Sequence, residues 1–270
     1  MSNMRIGLVG RGHMGEALIA GLLKSGLVQP TNLIASGKRA ERALELENRY
    51  GITTARSNVE AVFDCEVIIL AVKPQIMSEV LAELKGQIPS HAVVLSIAAG
   101  IRLSRLRREL DHECVVRAMP NTPAAICAGV TVWTAAFAVS DEQRERVREV
   151  LSTIGIEEYV SQEEDIDKAT AVSGTGPALV FLIMAAFVAA GVRIGMSWGL
   201  SRRSVLYTFL GAVQYAIASD KSLDELANHV TSPAGTTGEA THQLHAGGYW
   251  TTISQAIMAA FERAKKLGQD

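Results

Sequence analysis

A glycine-rich loop near the N-terminus constrains the fold of this chain more than any other feature. The apolar run 4–9 leads directly into Gly-Arg-Gly-His-Met-Gly at residues 10–15, and helical periodicity follows over residues 14–23. In such a strand–loop–helix unit, the first glycine permits a tight turn, the second lets the backbone approach a pyrophosphate, and the third lets helix and strand pack closely. Backbone N–H groups at the helix start then hold the phosphates. The loop predicts a dinucleotide-binding unit whose cofactor contacts Gly10, Gly12, His13, Met14 and Gly15.

Short apolar runs alternate with helical stretches through the rest of the first half. The apolar runs cover residues 33–35, 67–72, 92–97 and 114–118, and the helical stretches cover residues 41–50, 75–84 and 103–110. Runs that are apolar throughout are typical of parallel strands covered by helices on both faces. A strand-like segment at 129–137 and a helix at 141–152 would complete the unit. We therefore predict an α/β Rossmann domain, with a doubly wound and mainly parallel sheet, over residues 1–162.

The character of the chain changes after residue 159, where strand signals vanish. Helices are predicted at residues 163–171, 177–195, 201–219, 222–228 and 239–267. These form an all-α domain over residues 163–270. The apolar run 178–192 is shorter than the ~17–25 residues of a membrane-spanning helix, which favours a buried helix instead. A small helical domain cannot easily hide such a helix alone, so we expect it to pack against a second copy of the chain.

The composition argues against several functional classes. The 26 Lys and Arg residues nearly balance the 28 Asp and Glu residues, and the net charge of -2 gives no sign of a nucleic-acid surface or a basic membrane patch. Cys65, Cys114 and Cys127 are odd in number and lack metal-ligand spacing, so we interpret them as reduced thiols. The N-terminus runs straight into a strand without a signal-like segment, and we expect a cytoplasmic protein.

The end of the second predicted strand indicates which dinucleotide is bound. NAD-preferring sites normally place Asp or Glu here to accept the ribose 2′-hydroxyl. This chain instead has Ala-Ser-Gly-Lys-Arg at residues 35–39. A hydroxyl and two cations suit a 2′-phosphate, so we expect NADPH as cofactor, with NADH possible, and Ser36, Lys38 and Arg39 as its ligands. In the alternative interpretation, Lys38 and Arg39 only begin a solvated helix.

Two further segments are candidates for the cofactor site. Asn58 begins a helical stretch, which it either caps or extends toward the cofactor. The sequence Leu-Ala-Val-Lys-Pro at residues 70–74 lies at the carboxyl end of a predicted strand, where open α/β sheets bind their ligands.

Five blocks together resemble pyrroline-5-carboxylate reductases. They are CEVIILAVKPQ at 65–75, LSIAAGI at 95–101, RAMPNTPA at 117–124, TAVSGTGPA at 170–178 and TSPAGTT at 231–237. The resemblance spans essentially the whole chain. It implies a nucleotide-binding domain followed by a helical domain that forms homodimers, often joined into larger homo-oligomers. It also implies reduction of the cyclic imine 1-pyrroline-5-carboxylate to L-proline by hydride from NADPH or NADH, the last step of proline biosynthesis.

The resemblance also assigns roles to individual residues. Cofactor-binding residues carried over in this way are Asn58, Ala71, Val72, Lys73, Pro74 and Asn121. One wall of the substrate site is expected from Ser173, Gly174, Thr175, Gly176 and Pro177. The substrate itself would be held by Ser232, Gly235, Thr236 and Thr237, with Thr237 as the catalytic residue that hydrogen-bonds the imine nitrogen and Thr236 as the alternative for that role.

These assignments make chemical sense. A protonated imine is already electrophilic, so a well-placed hydride donor and a hydroxyl group suffice without a strong general acid. Small residues before a predicted helix at 239–244 leave backbone N–H groups free, which suits the substrate carboxylate. In the alternative interpretation, the two threonines merely cap that helix.

The chain departs from the family pattern at several positions. His13 replaces a frequent Asn, Gly15 replaces a frequent Ala, and Ala234 replaces a frequent Gly. His13 contacts the cofactor or is simply a half-exposed loop residue. The methyl group of Ala234 requires a compatible φ angle. Gly238 weakens the first turn of the following helix, and Thr241 replaces an expected apolar residue.

Two other interpretations compete with the reductase. A β-hydroxyacid dehydrogenase needs a Lys base after a glycine pair, but residues 177–181 contain none and Lys168 lies upstream. A dinucleotide-binding regulatory protein that has lost catalysis would keep the glycine loop and alter the 231–237 loop.

The spacing of Glu239, His242 and His245 drifts around a helix, which favours a polar face over a metal site. We therefore predict no bound metal.

Overall fold

The first half of the chain forms the predicted sheet. The structure is a computed structural model that describes residues 4–232 and 234–268. Within these residues, one sheet contains eight strands: β1 Ile6–Val9, β2 Leu33–Ser36, β3 Thr53–Thr54, β4 Val67–Leu70, β5 Val93–Ser96, β6 Val115–Met119, β7 Gly129–Ala135 and β8 Gly155–Tyr159. Their order is β3-β2-β1-β4-β5-β6-β7-β8, and every neighbouring pair is parallel except β6 and β7. The prediction of a doubly wound, mainly parallel sheet is confirmed.

Helices cover this sheet. They are α1 His13–Lys24, α2 Ala40–Tyr50, α3 Asn58–Val62, α4 Met77–Leu84, α5 Leu103–Leu110, α6 Asp141–Ser152 and α7 Glu164–Ala169. Every residue of β1, β4 and β5 is buried, as expected for strands covered on both faces. The apolar side chains of the strands therefore form the centre of one core. From β1, the strands β2 and β3 extend the sheet in one direction, and β4 and the later strands extend it in the other. Such a switch point is where open α/β sheets bind ligands.

The remaining helices follow one another without strands among the described residues. They are α8 Gly176–Arg193, α9 Trp198–Ile217, α10 Leu223–His229, α11 Thr236–Ala246 and α12 Tyr249–Leu267. The chain divides into two compact units, one running to Thr175 and resuming at Ala260, and the other covering Gly176–Ala259. The assignment of cofactor binding to residues 1–162 and of dimerisation and substrate binding to residues 163–270 stays a prediction. The two compact units are defined by packing alone and do not show function.

Two predicted helix boundaries were wrong. Residues 163–171 and 177–195 do not form separate helices, because a π-helical turn at Thr170–Gly174 joins α7 to α8. In this turn the carbonyl oxygen of Thr170 accepts hydrogen bonds from both the backbone N–H and the hydroxyl of Thr175, each at 3.0 Å. The single helix predicted over 239–267 is two helices, because the chain turns at Gly247 and Gly248, where Gly248 has a φ of +69°.

The apolar helix α8 is not buried within the chain. No residue of α8 is buried, and Phe181 and Leu182 are 63% and 67% exposed. By length and composition alone, the helical run Glu164–Arg193 could also cross a membrane. The helix is therefore not hidden by its own chain, and its expected packing against a second copy stays a prediction. The apolar residues that define the run are available to a partner instead.

A buried ion pair fixes α7 to the sheet. Arg117 on β6 is fully buried, and its guanidinium donates to the carboxylates of Asp167 at 2.5 Å and Glu163 at 3.1 Å. Glu163 also accepts from the backbone N–H of Leu103 at the start of α5. Because a buried charge needs a partner, Arg117 fixes the position of α7 and of the π-helical turn that follows it.

We expect Asp167→Leu to lower the free energy of unfolding by about 3–5 kcal/mol, because it leaves Arg117 buried with only a partial counter-charge. The double variant Arg117→Met with Asp167→Leu should recover at least half of this loss. Urea unfolding at fixed protein concentration measures both values. Glu142→Gln, which removes an exposed ion pair, is the control and should change little. If the double variant is no more stable than the single one, the unpaired charge is not the cause.

Candidate functional site

A cavity of about 430 Å³ opens at the carboxyl ends of β1, β2 and β4. Gly10 and Gly12 follow β1, Gly37 follows β2, and Ala71 and Val72 follow β4, and all of them line this cavity. It therefore lies at the switch point of the sheet, where the topology predicts the ligand.

The glycine loop has the geometry of a dinucleotide cradle. Gly10 has a φ of +113°, and a Cβ atom there would lie only 2.5 Å from the carbonyl oxygen of Ala71. Gly15 is buried, and a Cβ atom there would collide with the carbonyl oxygen of Gly10. Gly12, the N-cap residue of α1, faces open space and provides no side-chain cap. The helix start thus leaves its N–H groups free, and the loop fits a pyrophosphate.

Ser36 and Asn58 are held by hydrogen bonds at the edge of this cavity. The Ser36 hydroxyl is buried and donates to the Asn58 side-chain oxygen at 2.7 Å. The Asn58 amide in turn donates to the Glu83 carboxylate at 2.6 Å. Asn58 lines the cavity, whereas Ser36 does not. The helix α3 is capped by Ser57, whose hydroxyl accepts from Glu60, so the interpretation of Asn58 as the cap was wrong.

The cavity carries a strong positive charge. Its cationic lining residues are Arg11, Lys38, Arg39, Arg42, Arg56 and Lys73, against the single carboxylate of Glu83. Glu79 pairs with Lys38 at 2.8 Å, and this hydrogen bond raises the Lys38 pKa. Arg42 pairs with Glu16 and Glu45. Among the described residues, the side chains of Arg39, Arg56 and Lys73 have no hydrogen-bond or ion-pair partner. These three cations are free to meet an anion.

Sequence reasoning missed Arg42 and Arg56 as cavity residues. Arg56 follows β3, whose carboxyl end lies at the same edge of the sheet as that of β2. Since β3 contains only Thr53 and Thr54, no periodic pattern could reveal it. Arg42 lies in the first turn of α2, beyond the loop that the strand end indicated.

Several predicted cofactor residues lie outside the cavity lining. His13 is exposed at the start of α1, and Met14 packs against the hydrophobic core. Pro74 begins a short 3-10 helix after Lys73. Asn121 is buried, and its amide donates to the Ser173 carbonyl at 3.1 Å while its oxygen accepts from Val130 at 2.9 Å. Asn121 therefore ties β7 to the π-helical turn. Direct cofactor contacts of these residues stay predictions.

The π-helical turn holds the first group of predicted substrate residues. The hydroxyls of Ser173 and Thr175 donate to the carbonyl oxygens of Ala169 and Thr170 at 2.9 and 3.0 Å. Both hydroxyl oxygens can therefore still accept a hydrogen bond, while their protons are engaged. Gly176 and Pro177 begin α8, in the second compact unit.

The second group lies in the loop before α11. The helix begins at Thr236, three residues earlier than predicted, with Gly235 as N-cap and no side-chain cap. The interpretation of the threonines as caps was therefore wrong. Among the described residues, the hydroxyls of Ser232, Thr236 and Thr237 have no hydrogen-bond partner. Pro233 lies outside the described residues. The first N–H groups of α11 thus lack acceptors, as an anion site requires.

The departures from the family pattern have visible consequences here. Ala234 adopts a φ of +57°, in the left-handed region that favours glycine. The Thr241 hydroxyl donates to the Gly238 carbonyl at 3.0 Å, so this polar replacement is satisfied within α11.

A second cavity, of about 580 Å³, lies at the opposite edge of the sheet. Its lining includes Asp64, Glu66 and His91, which precede β4 and β5. Parallel sheets bind ligands at the carboxyl ends of their strands, so this cavity is not the candidate site. Among the described residues, no group of three or more His, Cys, Asp or Glu residues could hold a metal ion.

Comparisons with known proteins identify the family. Residues 163–267 match the model described as pyrroline-5-carboxylate reductase dimerisation, and residues 5–100 match the model NADP oxidoreductase coenzyme F420-dependent. The pyrroline-5-carboxylate reductase of Pseudomonas aeruginosa is 39% identical over 100% of this chain and 98% of that protein. That of Methanosarcina acetivorans is 36% identical over 100% of both chains. The chain belongs to the pyrroline-5-carboxylate reductase family.

Solved structures of this family share the fold. A pyrroline-5-carboxylate reductase from Coxiella burnetii superimposes with a TM-score of 0.91 at 31% identity, covering 98% of this chain and 99% of that one. The Plasmodium falciparum pyrroline carboxylate reductase, solved with NADP bound, gives 0.90 at 31% identity over 99% of both chains. A 3-hydroxyisobutyrate dehydrogenase from Mycobacterium tuberculosis reaches only 0.51 at 16% identity over 73% of this chain, which is a similarity of fold alone.

Ala234→Gly tests the backbone conformation of the loop before α11. We expect this change to raise the free energy of unfolding by about 1 kcal/mol, because glycine adopts a positive φ without the steric cost of a Cβ atom. Ala234→Val, whose branched side chain tolerates this region even less, should lower the stability. Urea unfolding measures both variants. A glycine variant that is no more stable than the parent protein would show that Ala234 leaves the left-handed region in solution.

Proposed function

We propose that this chain reduces 1-pyrroline-5-carboxylate to L-proline with hydride from NADPH, as the final step of proline biosynthesis. The full-length relationship to proteins named pyrroline-5-carboxylate reductase carries this proposal, at 39% identity over the whole chain. The free N–H groups at the start of α11 support it, because the substrate is an anion. NADH is a possible alternative donor, since the pyrophosphate cradle serves both cofactors.

The first unit holds the cofactor. Backbone N–H groups at Gly12 and the start of α1 bind the pyrophosphate, and the cations that follow β2 and β3 face the 2′-phosphate. Ala71, Val72 and Lys73, at the end of β4, line the nicotinamide side. When bound, the cofactor supplies the hydride that the imine carbon accepts. The residues of the cavity hold its adenosine and phosphate groups in place.

The loop before α11 binds the substrate. The N–H groups of Thr236 and Gly238 hold the carboxylate, and Thr237 hydrogen-bonds the imine nitrogen. The hydroxyl oxygen of Thr237 accepts from the N–H of the protonated imine, which keeps the carbon electrophilic. The nitrogen keeps this proton when the carbon receives hydride, so no further acid is required. Ser173, Gly174, Thr175, Gly176, Pro177, Ser232 and Gly235 are further proposed substrate-binding residues.

The two other proposed interpretations have less support. A β-hydroxyacid dehydrogenase would require a Lys after Gly174 and Gly176, and this chain has none at residues 177–181. A regulatory protein without catalysis would have a damaged substrate loop. However, Thr241 is satisfied within its helix and the hydroxyl of Thr237 has no partner among the described residues. The loop therefore keeps a hydroxyl available for substrate.

The purified protein mixed with 1-pyrroline-5-carboxylate and NADPH should oxidise NADPH and form proline, as followed by the absorbance of reduced nicotinamide. Thr237→Val should lower kcat roughly 10–100-fold, because one hydrogen bond to a charged group is lost in the transition state. Thr237→Ser, which keeps the hydroxyl, should retain most of the activity. Thr236→Val removes the neighbouring hydroxyl and is the matched control variant.

All these variants should bind NADPH with unchanged affinity, since the altered hydroxyl is assigned to the substrate. Normal NADPH binding without oxidation by the unaltered protein would refute the reductase function. Unchanged turnover of Thr237→Val would remove Thr237 from the mechanism.

We also propose that the protein works in the cytoplasm as a homodimer, or as a larger homo-oligomer built from dimers. The match of residues 163–267 to a dimerisation model supports self-association. The exposed apolar residues of α8 and α9, such as Phe181, Leu182 and Tyr207, offer a surface for it. A second copy of the chain would bury these side chains, which favours association in water. We propose no nucleic-acid or membrane partner.

Sedimentation should give a mass of at least two chains for the unaltered protein in the absence of detergent. Phe181→Glu should shift it toward the monomer, because a charge would enter the apolar interface. Phe137→Glu changes a fully exposed phenylalanine in the first unit and should leave the assembly intact. A monomeric parent protein, or a requirement for detergent, would contradict the proposal.

A further inference from the structure

Arg11 occupies an unusual position within the glycine loop. Its side chain is only 7% exposed and lies over Gly37, the residue that follows β2. One terminal nitrogen of the guanidinium donates to the Gly37 carbonyl oxygen. A Cβ atom at Gly37 would lie 2.9 Å from the Arg11 Nε atom. The absence of a side chain at residue 37 is therefore what allows the guanidinium to lie there.

The guanidinium of Arg11 lacks the partners that a buried cation needs. Its Nε and Nη1 atoms are buried and have no hydrogen-bond partner among the described residues. Burial lowers the pKa of Arg11, and the carboxylate of Glu47 opposes this only in part. By contrast, Lys38 and Arg42 in the same cavity are each paired with a carboxylate. A buried charge without a partner is costly, so the arrangement indicates an anion that is supplied by a ligand.

The position of Gly37 indicates which anion this is. In a dinucleotide-binding sheet, the carboxyl end of the second strand faces the adenosine ribose, and the pyrophosphate lies at the first helix. Arg11 is bonded to the carbonyl just beyond β2, so its charge lies on the ribose side. We propose that Arg11 is the principal ligand of the cofactor 2′-phosphate and that Arg39 and Arg56 flank it. This inference rests on the proposed use of NADPH.

The chemistry explains how the site would distinguish the two cofactors. A 2′-phosphate provides oxygen acceptors for the planar fork of an arginine, which binds phosphate at two points. A ribose 2′-hydroxyl provides one weak acceptor and no charge, and so leaves the buried guanidinium largely unsatisfied. Arg39 and Arg56 have no side-chain partner among the described residues, so they can add their charge. Lys38 is already paired with Glu79 and contributes less than the sequence suggested.

Binding of 2′,5′-ADP and of 5′-AMP, measured by calorimetry on the full chain, isolates the 2′-phosphate without requiring catalysis. The unaltered protein should bind 2′,5′-ADP more tightly. Arg11→Met should weaken 2′,5′-ADP at least about tenfold, the usual effect of losing charge-assisted hydrogen bonds, and should change 5′-AMP less than about twofold. Arg108→Met removes the same charge from an exposed site outside the cavity and should leave both affinities unchanged.

Gly37→Ala provides a second variant that keeps the charge of Arg11 but displaces its guanidinium. It should weaken 2′,5′-ADP selectively, and Arg56→Met should do so to a smaller extent. Equal losses for both ligands would assign Arg11 to the shared 5′-phosphate and overturn the proposal, as would unchanged binding in Arg11→Met and Gly37→Ala. A parent protein that does not prefer 2′,5′-ADP would also overturn it. These binding measurements need no substrate. Even if the reductase assay failed, they would still show whether Arg11 binds the 2′-phosphate.

Discussion

The close approach of α1 to β1 and β4 is the constraint on which the nucleotide site depends. Gly10 and Gly15 have no space for a Cβ atom, so the backbone of the loop lies directly against the strand ends. This packing directs the start of α1 toward the cavity, where Gly12 leaves its N–H groups uncovered. A phosphate can therefore be bound by backbone alone, independently of side-chain rotamers. The same packing places Arg11, between the first two glycines, against the end of β2.

The charges around the cavity show why a count of cations does not identify phosphate ligands. Lys38 and Arg42 line the cavity but already have carboxylate partners, so an anion would have to compete with a carboxylate of the protein for each of them. Arg39 and Arg56 have none among the described residues. The sequence pointed to the strand end beside the cavity, but it could not show which cation was already paired. That depends on Glu79 and Glu16, which lie on other helices.

Burial explains which parts of the fold were predictable. The strands β1, β4 and β5 are buried throughout, and a continuous apolar run is a direct sign of this state. The two-residue β3 and the half-exposed β8 have no such sign and were missed. The π-helical turn was read as a break because Ser173–Pro177 has the composition of a loop. Its hydrogen bonds with the preceding turn and with Asn121 support a helical conformation that the composition does not show.

The helix starts carry a further distinction between structural and binding roles. Serine side chains cap α3, α6, α9 and α10, so part of the unpaired N–H capacity of these helices is satisfied within the protein. Helices α2, α4, α5 and α7 also lack a side-chain cap, but α1 and α11 differ from them in having glycine as N-cap, Gly12 and Gly235, with no side chain to offer. Serine at either position would stabilise its helix but would compete with an anion for the same N–H groups. The two helix starts where a pyrophosphate and a carboxylate are proposed to bind thus have glycine in place of a capping side chain.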